Sequence, residues 1–369
     1  MQNRFKEIGK TDEETKAKIQ KAFNMLFEGN ADIERICFWE KEFAYIVDIG
    51  HQDIRSEGMS YGMFIAAVLQ KKELFDALWN FAKTYLQNGA GDHAPYFAWQ
   101  VGLDFKKMDP GAAPDGEEYF AAALLIAAKV FRENSYKREA KALLASLIHK
   151  QTCGKVESIM DKKTGLVRFS PVVGNNFTDP SYHTLAFYRL FAKETGDDFW
   201  LFTYKESVEF LKKALHKETG LAADFAEFEG TPKHTDFTPA SECFSGDAWR
   251  VALNLGLDVS LGSSAEISSF ERDAMTKLLR FFNTRRPYLA DYKVDGSAYP
   301  LPAREATIGL ISMNAAGTLA LPEMSALAKP FLEDLWNADV PTGKWRYYDG
   351  LLYMLGLIAV SGSLPLMDA

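Results

Sequence analysis

Helical periodicity recurs from one end of the chain to the other, and the connections between the helices alternate between long and short. The apolar spacing predicts twelve helices, over residues 12–28, 58–70, 72–88, 116–132, 136–149, 181–195, 197–216, 246–257, 265–283, 305–320, 322–336 and 347–361. Long connections run over 29–57, 89–115, 150–180, 217–245 and 284–304. Each of them precedes an alternate helix, whereas connections such as 70–72 are short.

This alternation predicts how the helices are arranged. The helices that follow long connections would all begin on one face, with the other helices outside them, as in an all-α (α/α)6 barrel of six inner and six outer helices. The sequence contains little strand-like alternation, no Pro/Gly/Ser-rich linker and no clean repeat of the kind a solenoid requires. We therefore predict a single domain over residues 1–369.

Composition and charge restrict the class of partner. The net charge is −8 and no basic stripe is present, so nucleic acid is not an expected partner. Aromatic residues make up 13% of the chain, which suits a groove that stacks flat, partly apolar sugar rings as well as a core. No apolar run approaches 18 residues, so we expect no membrane association.

The cysteines and the N-terminus bear on location. Cys37, Cys153 and Cys243 are odd in number and widely spaced, which indicates reduced thiols. The first residues are polar and lack the apolar segment of a signal peptide. We expect a cytoplasmic protein, unless a signal peptide has been removed from the sequence. The oligomeric state cannot be read from these patterns, and a monomer is the expectation.

Residues 56–63, S-E-G-M-S-Y-G-M, indicate chemistry more strongly than any other stretch. Glu57 precedes an almost wholly apolar run from Met63 to Leu69. Poor hydration raises the pKa of a carboxyl group, so Glu57 is a candidate for an acid that holds a proton near neutral pH. The two glycines leave room for a bulky ligand to approach the backbone. The alternative is an ordinary first-turn acid that is stabilised by the helix dipole.

Further clusters of acids, aromatics and arginines precede the other predicted inner helices. They are Y-F-A-W at 96–99 with A-P-D-G-E-E-Y-F at 113–120, T-D-P-S-Y-H at 178–183, C-F-S-G-D-A-W-R at 243–250 and R-Y-Y-D at 346–349. Carboxylates that bind hydroxyl groups, combined with aromatic faces for stacking, are expected of a sugar-binding cleft. Taken singly, Asp115 and Asp179 could instead be helix caps or Asx turns. Trp99 and Tyr182 could be core aromatics, and Arg250 could pair with a neighbouring acid.

Other catalytic classes lack their sequence signatures here. The six histidines show no H-E-x-x-H or other metal-ligand spacing. The chain also contains no G-x-S-x-G, no Walker A motif and no G-x-G-x-x-G, which disfavours a serine hydrolase, a P-loop nucleotidase and a dinucleotide enzyme. We therefore expect neither a metal nor an organic cofactor.

Five motifs in order resemble glycoside hydrolase family 8: S-E-G-x-x-Y-G-M, A-P-D-G-E-E-Y-F, D-P-S-Y-H, D-A-x-R and R-Y-Y-D. They extend over residues 45–361, and they are most similar to the branch of reducing-end xylose-releasing exo-oligoxylanases and related xylanases. The resemblance implies an (α/α)6 barrel that hydrolyses β-1,4-linked glycans with inversion, here with xylo-oligosaccharides as substrate. That fold agrees with the one predicted from the helices alone.

The resemblance also implies roles for individual residues. Glu57 matches the general acid, Asp247 the general base, and Asp115 the acid that holds the distorted sugar beside the scissile bond. The predicted sugar-lining residues are Arg55, Tyr61, Trp99, Tyr182, Arg250 and Tyr348. An inverting pair of carboxyl groups is separated by roughly 6.5–9.5 Å, which leaves room for the attacking water. The neighbouring Arg250 suits a base that stays ionised.

One departure from the resemblance leaves the cleavage pattern open. The exo-acting relatives carry Leu-His-Pro before a helix start, which closes the leaving-group end of the cleft, whereas this chain has Ala306-Thr307 in place of His-Pro. The closing wall would then be absent, or built from Tyr299-Pro300-Leu301-Pro302. The leading hypothesis is release of xylose from the reducing end. The alternatives are an endo-β-1,4-xylanase with an open cleft and a non-catalytic glycan-binding barrel.

Overall fold

In the part of the chain that the structure describes, six buried helices form a closed ring, and six amphipathic helices surround it. The computed structural model describes residues 1–365. Within this part of the chain the helices are α1 Asp12–Phe23, α2 Ser56–Val68, α3 Lys72–Phe81, α4 Pro114–Val130, α5 Asn134–His149, α6 Leu185–Thr195, α7 Phe199–Ala214, α8 Val251–Ser260, α9 Ala265–Asn283, α10 Ile308–Gly317, α11 Lys329–Asn337 and α12 Arg346–Val360. Each even-numbered helix packs against the next, and α12 packs against α2. The fold is the predicted all-α (α/α)6 barrel.

The sequence explains which helices lie inside. In α2, every residue from Gly58 to Val68 is buried, and a helix that is apolar on all sides is stable only when it is enclosed. The outer helices have two faces. In α3, Leu74 and Leu78 are buried whereas Lys72 and Glu73 are exposed. The apolar face of each outer helix therefore covers the ring.

Glycines mark the places where inner helices approach most closely. A Cβ atom on Gly256 of α8 would lie 2.4 Å from the carbonyl oxygen of Ala316 in α10. A Cβ atom on Gly356 of α12 would lie 2.9 Å from the carbonyl oxygen of Ser312, also in α10. Backbone therefore meets backbone at these crossings, and a larger side chain would push the helices apart.

The long loops lie at the N-terminal ends of the inner helices and carry the short strands of residues 1–365. The strands are β1 Cys37–Glu40, β2 Phe43–Ile46, β3 Asp53–Arg55, β4 Gln100–Gly102, β5 Lys107–Asp109, β6 Phe177–Thr178 and β7 Ala226–Glu227. They form three antiparallel sheets, β1-β2, β3-β4-β5 and β6-β7. Arg55 pairs with Gln100, and the Ser56 amide donates to the Trp99 carbonyl at 3.0 Å. This ladder fixes the backbone just before Glu57.

Three local predictions need correction. The helix predicted over 322–336 begins at Lys329, because Pro330 fits only into the first turn of a helix. The segment predicted to start at 181 opens with a 3₁₀ turn, Pro180–Tyr182, before α6. Ala113 is the N-cap of α4 and Asp115 lies in its first turn, so the cap interpretation of Asp115 is wrong. Asp179, by contrast, does cap its turn, because its side chain accepts from the Ser181 amide.

Buried apolar side chains from Phe5 to Leu364 belong to one continuous hydrophobic cluster. That continuity supports the prediction of a single domain, although residues 366–369 lie outside the described part of the chain. Among residues 1–365, no helix combines the length and apolar character needed to cross a membrane.

Replacing Gly256 with Ala is expected to lower the free energy of unfolding by about 1–3 kcal/mol, because the new methyl group would overlap the Ala316 carbonyl. Chemical denaturation measures the change. Gly89→Ala is the matched control, since nothing lies within 4 Å of the position its Cβ would take, and its effect should stay within about 0.5 kcal/mol. A Gly256→Ala protein as stable as the parent would contradict this close approach of α8 and α10.

Candidate active site

The N-terminal ends of the inner helices bring the predicted site residues to one end of the barrel. Glu57 lies in the first turn of α2 and Asp115 in the first turn of α4. Asp247 precedes a 3₁₀ turn, Ala248–Arg250, that leads into α8. Residues that are almost 200 positions apart in the sequence therefore meet, and Arg250 joins them.

One guanidinium nitrogen of Arg250 binds three of the predicted site residues. Its Nη1 donates to Asp115 Oδ2 at 2.6 Å, to the Tyr61 hydroxyl oxygen at 2.8 Å and to Glu57 Oε2 at 3.3 Å. Arg250 is buried, and so are Tyr61 and Asp115. Hydrogen bonds to a charged donor in such a setting are stronger than those between neutral groups. The acids of α2 and α4 are therefore held at fixed positions relative to each other.

The second guanidinium nitrogen binds two further carboxylates. Arg250 Nη2 donates to Asp247 Oδ1 at 2.9 Å and to Asp179 Oδ2 at 3.1 Å. Because both nitrogens belong to one planar fork, the bound oxygens of Glu57 and Asp247 are at most about 8.5 Å apart. The limit does not exceed the upper end of the separation of roughly 6.5–9.5 Å between the carboxyl groups of an inverting pair.

Burial raises the pKa of Glu57 to about 7, and the Arg250 charge opposes the shift while Asp115 adds to it. The Tyr347 hydroxyl donates to Glu57 Oε1 at 3.0 Å. Gly58 makes this contact possible, since a Cβ atom there would lie 2.5 Å from the Tyr347 ring. The sequence prediction of an acid that keeps its proton near neutral pH therefore has a physical basis.

Asp247 is in a more open position than Glu57. Its side chain is 38% exposed, compared with 17% for Glu57. Burial raises the pKa of Asp247, and the charge of Arg250 opposes this shift. Arg250 therefore lowers the pKa of Asp247, as predicted, but burial raises it at the same time.

A cavity of about 650 Å³ opens beside these acids. It is lined by Asp48, His51, Arg55, Glu57, Asp224, Ser245, Gly246, Asp247, Trp249, Arg304, Thr307, Trp345, Tyr347, Tyr348 and Asp349. Of the predicted site residues, Arg55, Glu57, Asp247 and Tyr348 line this cavity. A space of this size accommodates a small ligand with a few orienting polar groups.

The other predicted site residues do not line this cavity. They lie against Arg250 or Arg55. Tyr61 and Asp115 bind Arg250, and the Tyr182 ring lies 5.7 Å from its guanidinium carbon. Trp99 is partly buried, and its ring lies 5.7 Å from the guanidinium of Arg55.

Arg55 is held in turn by two carboxylates. Its Nε donates to Asp53 at 3.0 Å, and its Nη2 lies 3.3 Å from Asp48. The orientation of Arg55 at the cavity wall is therefore set by the β3 strand and the loop before it. The neighbouring Trp99 packs beside an arginine that is already fixed.

Several residues of the site were not predicted from the sequence, namely the cavity residues Tyr347, Asp224 and Trp345 and the buried Asp179. Tyr347 belongs to the R-Y-Y-D motif, but only the neighbouring Tyr348 was predicted to be a site residue. The motif was therefore a signal that could have identified Tyr347. Asp179 also lies in one of the sequence motifs. Its ion pair with Arg250 forms only because the fold brings two distant parts of the chain together. Trp345 directly precedes the R-Y-Y-D motif but is not part of it, and Asp224 has no motif around it.

Carboxylates at this site bind arginines and backbone amides. Over the described range 1–365, no group of three or more His, Cys, Asp or Glu side chains is arranged to hold a metal ion. Glu57, Asp115, Asp179 and Asp247 share the single guanidinium of Arg250.

The family model described as "Glycosyl hydrolases family 8" matches residues 48–362. The chain belongs to this family and is, by class, a glycoside hydrolase. The resemblance seen in the five sequence motifs is thereby confirmed.

Two relatives and one solved structure match over nearly the whole chain. The reducing end xylose-releasing exo-oligoxylanase of Halalkalibacterium halodurans is 36% identical, over 98% of this chain and 93% of that protein. The corresponding exo-oligoxylanase of Paenibacillus barcinonensis is 33% identical, over 98% of this chain and 95% of that protein. A family 8 xylanase of Teredinibacter turnerae, solved as a catalytic mutant with xylohexaose, is 34% identical with a TM-score of 0.93. That match covers 100% of this chain and 98% of the solved one.

Replacing Arg250 with Met is expected to destabilise the fold by about 3–5 kcal/mol, since it leaves buried carboxylates without their partner. Arg250 lowers the pKa of Glu57, Asp179 and Asp247, so its loss raises these values further above those of the unfolded chain. The stability these groups contribute is then lost as the pH rises. Urea denaturation should therefore show a larger loss at pH 8 than at pH 5.

Lys277→Met is the control, because the ion pair of Lys277 with Asp273 is partly exposed on the surface of α9. Its removal should cost no more than about 1 kcal/mol at either pH. An Arg250→Met loss that is small, or the same at both pH values, would contradict the central role given to this guanidinium.

Proposed function

We propose that this protein is an inverting glycoside hydrolase that cleaves β-1,4-xylosidic bonds in xylo-oligosaccharides and releases xylose from the reducing end. The observation that carries the proposal is the pair Glu57 and Asp247, both bound by one guanidinium and both lining the same cavity, with a pKa of about 7 for Glu57. The substrate and the cleavage pattern follow the two exo-oligoxylanase relatives, each matched over 98% of this chain.

Glu57 is proposed as the general acid. With a pKa of about 7 it is protonated in a large part of the molecules at neutral pH, and it can give its proton to the glycosidic oxygen as the C1–O bond breaks. The Glu57 carboxylate that results lies 3.3 Å from Arg250 and accepts a hydrogen bond from Tyr347. Both contacts stabilise the charge that appears during the reaction.

Asp247 is proposed as the general base. In the proposed reaction, a water molecule attacks C1 from the side opposite the leaving group, and Asp247 takes its proton. The C1 configuration is therefore inverted. The 38% exposed side chain of Asp247 lines the cavity and is accessible to that water.

The remaining predicted site residues are proposed to bind the sugar. Arg55 and Tyr348 line the cavity directly, and Trp99 lies beside Arg55. Asp115, Tyr61 and Tyr182 surround the guanidinium of Arg250, which binds both acids. We propose that Asp115 grips the sugar beside the scissile bond, an interaction that would strengthen in the transition state.

Several contacts support a closed leaving-group end. Arg304 is held by Asp291 and lies 4.9 Å from the Trp249 ring, at the cavity wall. In the Pro-rich stretch before it, burial raises the pKa of Tyr299, and the nearby wall residue Ser245 opposes that shift. These contacts favour the hypothesis that residues 299–304 close the leaving-group end in place of the missing His-Pro pair.

An endo-acting xylanase is the second candidate. Thr307 stands where the exo-acting pattern has Pro, and its side chain caps α10 by accepting from the Leu310 amide. The Teredinibacter turnerae relative is named a xylanase and was solved with xylohexaose. A binding-only barrel is the weakest alternative, since binding would require neither a carboxyl pKa near 7 nor a second carboxylate facing it.

Glu57→Gln and Asp247→Asn are each expected to lower kcat on xylotriose by about 10²–10⁴-fold, because each removes one proton-transfer step. In the parent enzyme, kcat/KM should fall as the pH rises through about 7, where Glu57 loses its proton. Steady-state kinetics across pH, together with NMR of the first-formed anomer, measure these effects.

Glu117→Gln is the matched control. Glu117 is also buried, with a pKa raised to about 8, but it binds the Phe97 amide and does not line the cavity. Its activity should stay within a few-fold of the parent. Full activity of Glu57→Gln, or retention of configuration in the product, would overturn the assignment.

A time course on xylotriose to xylohexaose labelled at the reducing end is expected to show one labelled xylose released first from each substrate. A wall formed by residues 299–304 would admit a single sugar beyond the cleavage point. Early formation of mixed internal products from xylohexaose would instead establish the endo pattern. No product from any of the oligomers would count against hydrolysis of xylo-oligosaccharides as a whole.

A cytoplasmic location and a monomeric state remain predictions. The three cysteines are free thiols, which supports a reducing compartment. Fractionation of the native host and sedimentation analysis would test these two statements.

A further inference from the structure

Asp224 lies against the proposed base but belongs to none of the sequence motifs. It is 6% exposed and lines the active-site cavity. Its Oδ1 accepts the backbone N–H of Ser245 at 3.1 Å and the backbone N–H of Ala248 at 2.9 Å. These two amides lie on either side of Asp247 in the chain, so one carboxylate oxygen clamps the turn that presents the base.

The capping pattern of this turn explains why such a clamp is needed. Asp247 is the N-cap of the Ala248–Arg250 turn, yet its side chain makes no cap hydrogen bond. An N-cap aspartate ordinarily accepts from the second or third amide of its own helix. Here Asp224 accepts from the Ala248 amide, and the Asp247 carboxylate remains free to bind Arg250 and face the cavity.

The same turn is fixed on its other sides. The Asp224 amide donates to the Cys243 carbonyl at 2.8 Å, and the Tyr348 hydroxyl donates to the Gly246 carbonyl at 2.8 Å. The Ser245 hydroxyl donates to Asp291 at 2.7 Å. With these ties in place, the loss of the Asp224 side chain would move or loosen the two peptide units around Asp247 without releasing the whole loop.

We propose that Asp224 is a positioning residue that clamps the peptide units on either side of Asp247, and thereby holds that carboxylate in place to act as the base. The inference rests on the proposed function, because it takes Asp247 to be the base. Asp224 is much less exposed than Asp247, which has a 38% exposed side chain. The role assigned to Asp224 is therefore support and not proton transfer.

The test compares Asp224→Ala and Asp224→Asn with xylotriose as the substrate. Alanine removes the acceptor for both amides, and a small displacement of the base should then lower kcat by about 10- to 100-fold. Asparagine keeps an acceptor oxygen in the same place and should recover kcat to within about 5-fold of the parent. KM should change less than about 3-fold in both, because the proposed role involves the base and not substrate contact.

Asp161 provides the matched control. Its Oδ1 also accepts two backbone amides, those of Lys163 and Thr164, at 3.0 and 2.7 Å, and it does not line the cavity. Asp161→Ala should therefore loosen a comparable turn without the drop in kcat. Thermal unfolding of all variants separates a local effect on the base from a general loss of structure.

Three results would overturn the inference. Full activity of Asp224→Ala would show that the clamp is not needed. An Asp224→Asn enzyme as inactive as Asp224→Ala would indicate that Asp224 itself transfers a proton. A parallel fall in kcat and melting temperature, matched by Asp161→Ala, would indicate a merely structural role. Failure of the proposed function is recognised separately, by an active Asp247→Asn enzyme.

Discussion

Arg250 is the residue on which the rest of the site depends. Its two terminal nitrogens contact Glu57, Asp115, Asp179 and Asp247, which come from four different parts of the chain. A buried arginine alone would be costly, and so would the carboxylates without it. Each makes the burial of the others possible. The positions of the proposed acid and base are thus set by a single shared partner.

This arrangement also explains why a proton remains in the site. One positive charge faces four carboxyl groups, so full ionisation would leave an excess of negative charge in a poorly hydrated space. Burial and the neighbouring acids raise the pKa of Glu57 to about 7 even though Arg250 pulls it down. An arginine that served one carboxylate would lower its pKa. Because Arg250 is shared among four carboxyl groups, it lowers the pKa of Glu57 less, and Glu57 can still donate a proton.

The barrel could be predicted from the sequence because the patterns that specify it are local in the chain. Apolar periodicity and loop length identify inner and outer helices without any knowledge of the contacts. The motif residues Glu57, Arg55, Asp247 and Tyr348 could also be assigned to the site, and they line one cavity. The ion pair of Arg250 with its neighbour Asp247 could be expected, but those with Glu57, Asp115 and Asp179 could not, since they join side chains 71 to 193 positions apart. Asp224 was missed for the same reason, because it reaches the cavity through the fold and lies in no motif.

The ring closes between its first and last inner helices, and this affects when the site can exist during synthesis. Tyr347, in the first turn of α12, donates to Glu57 of α2 across 290 positions of sequence. A nascent chain that has not yet released α12 from the ribosome therefore has an open ring and an acid without its phenolic partner. The pairing of Glu57 with Tyr347 is therefore completed only when the last helix packs against the first inner helix.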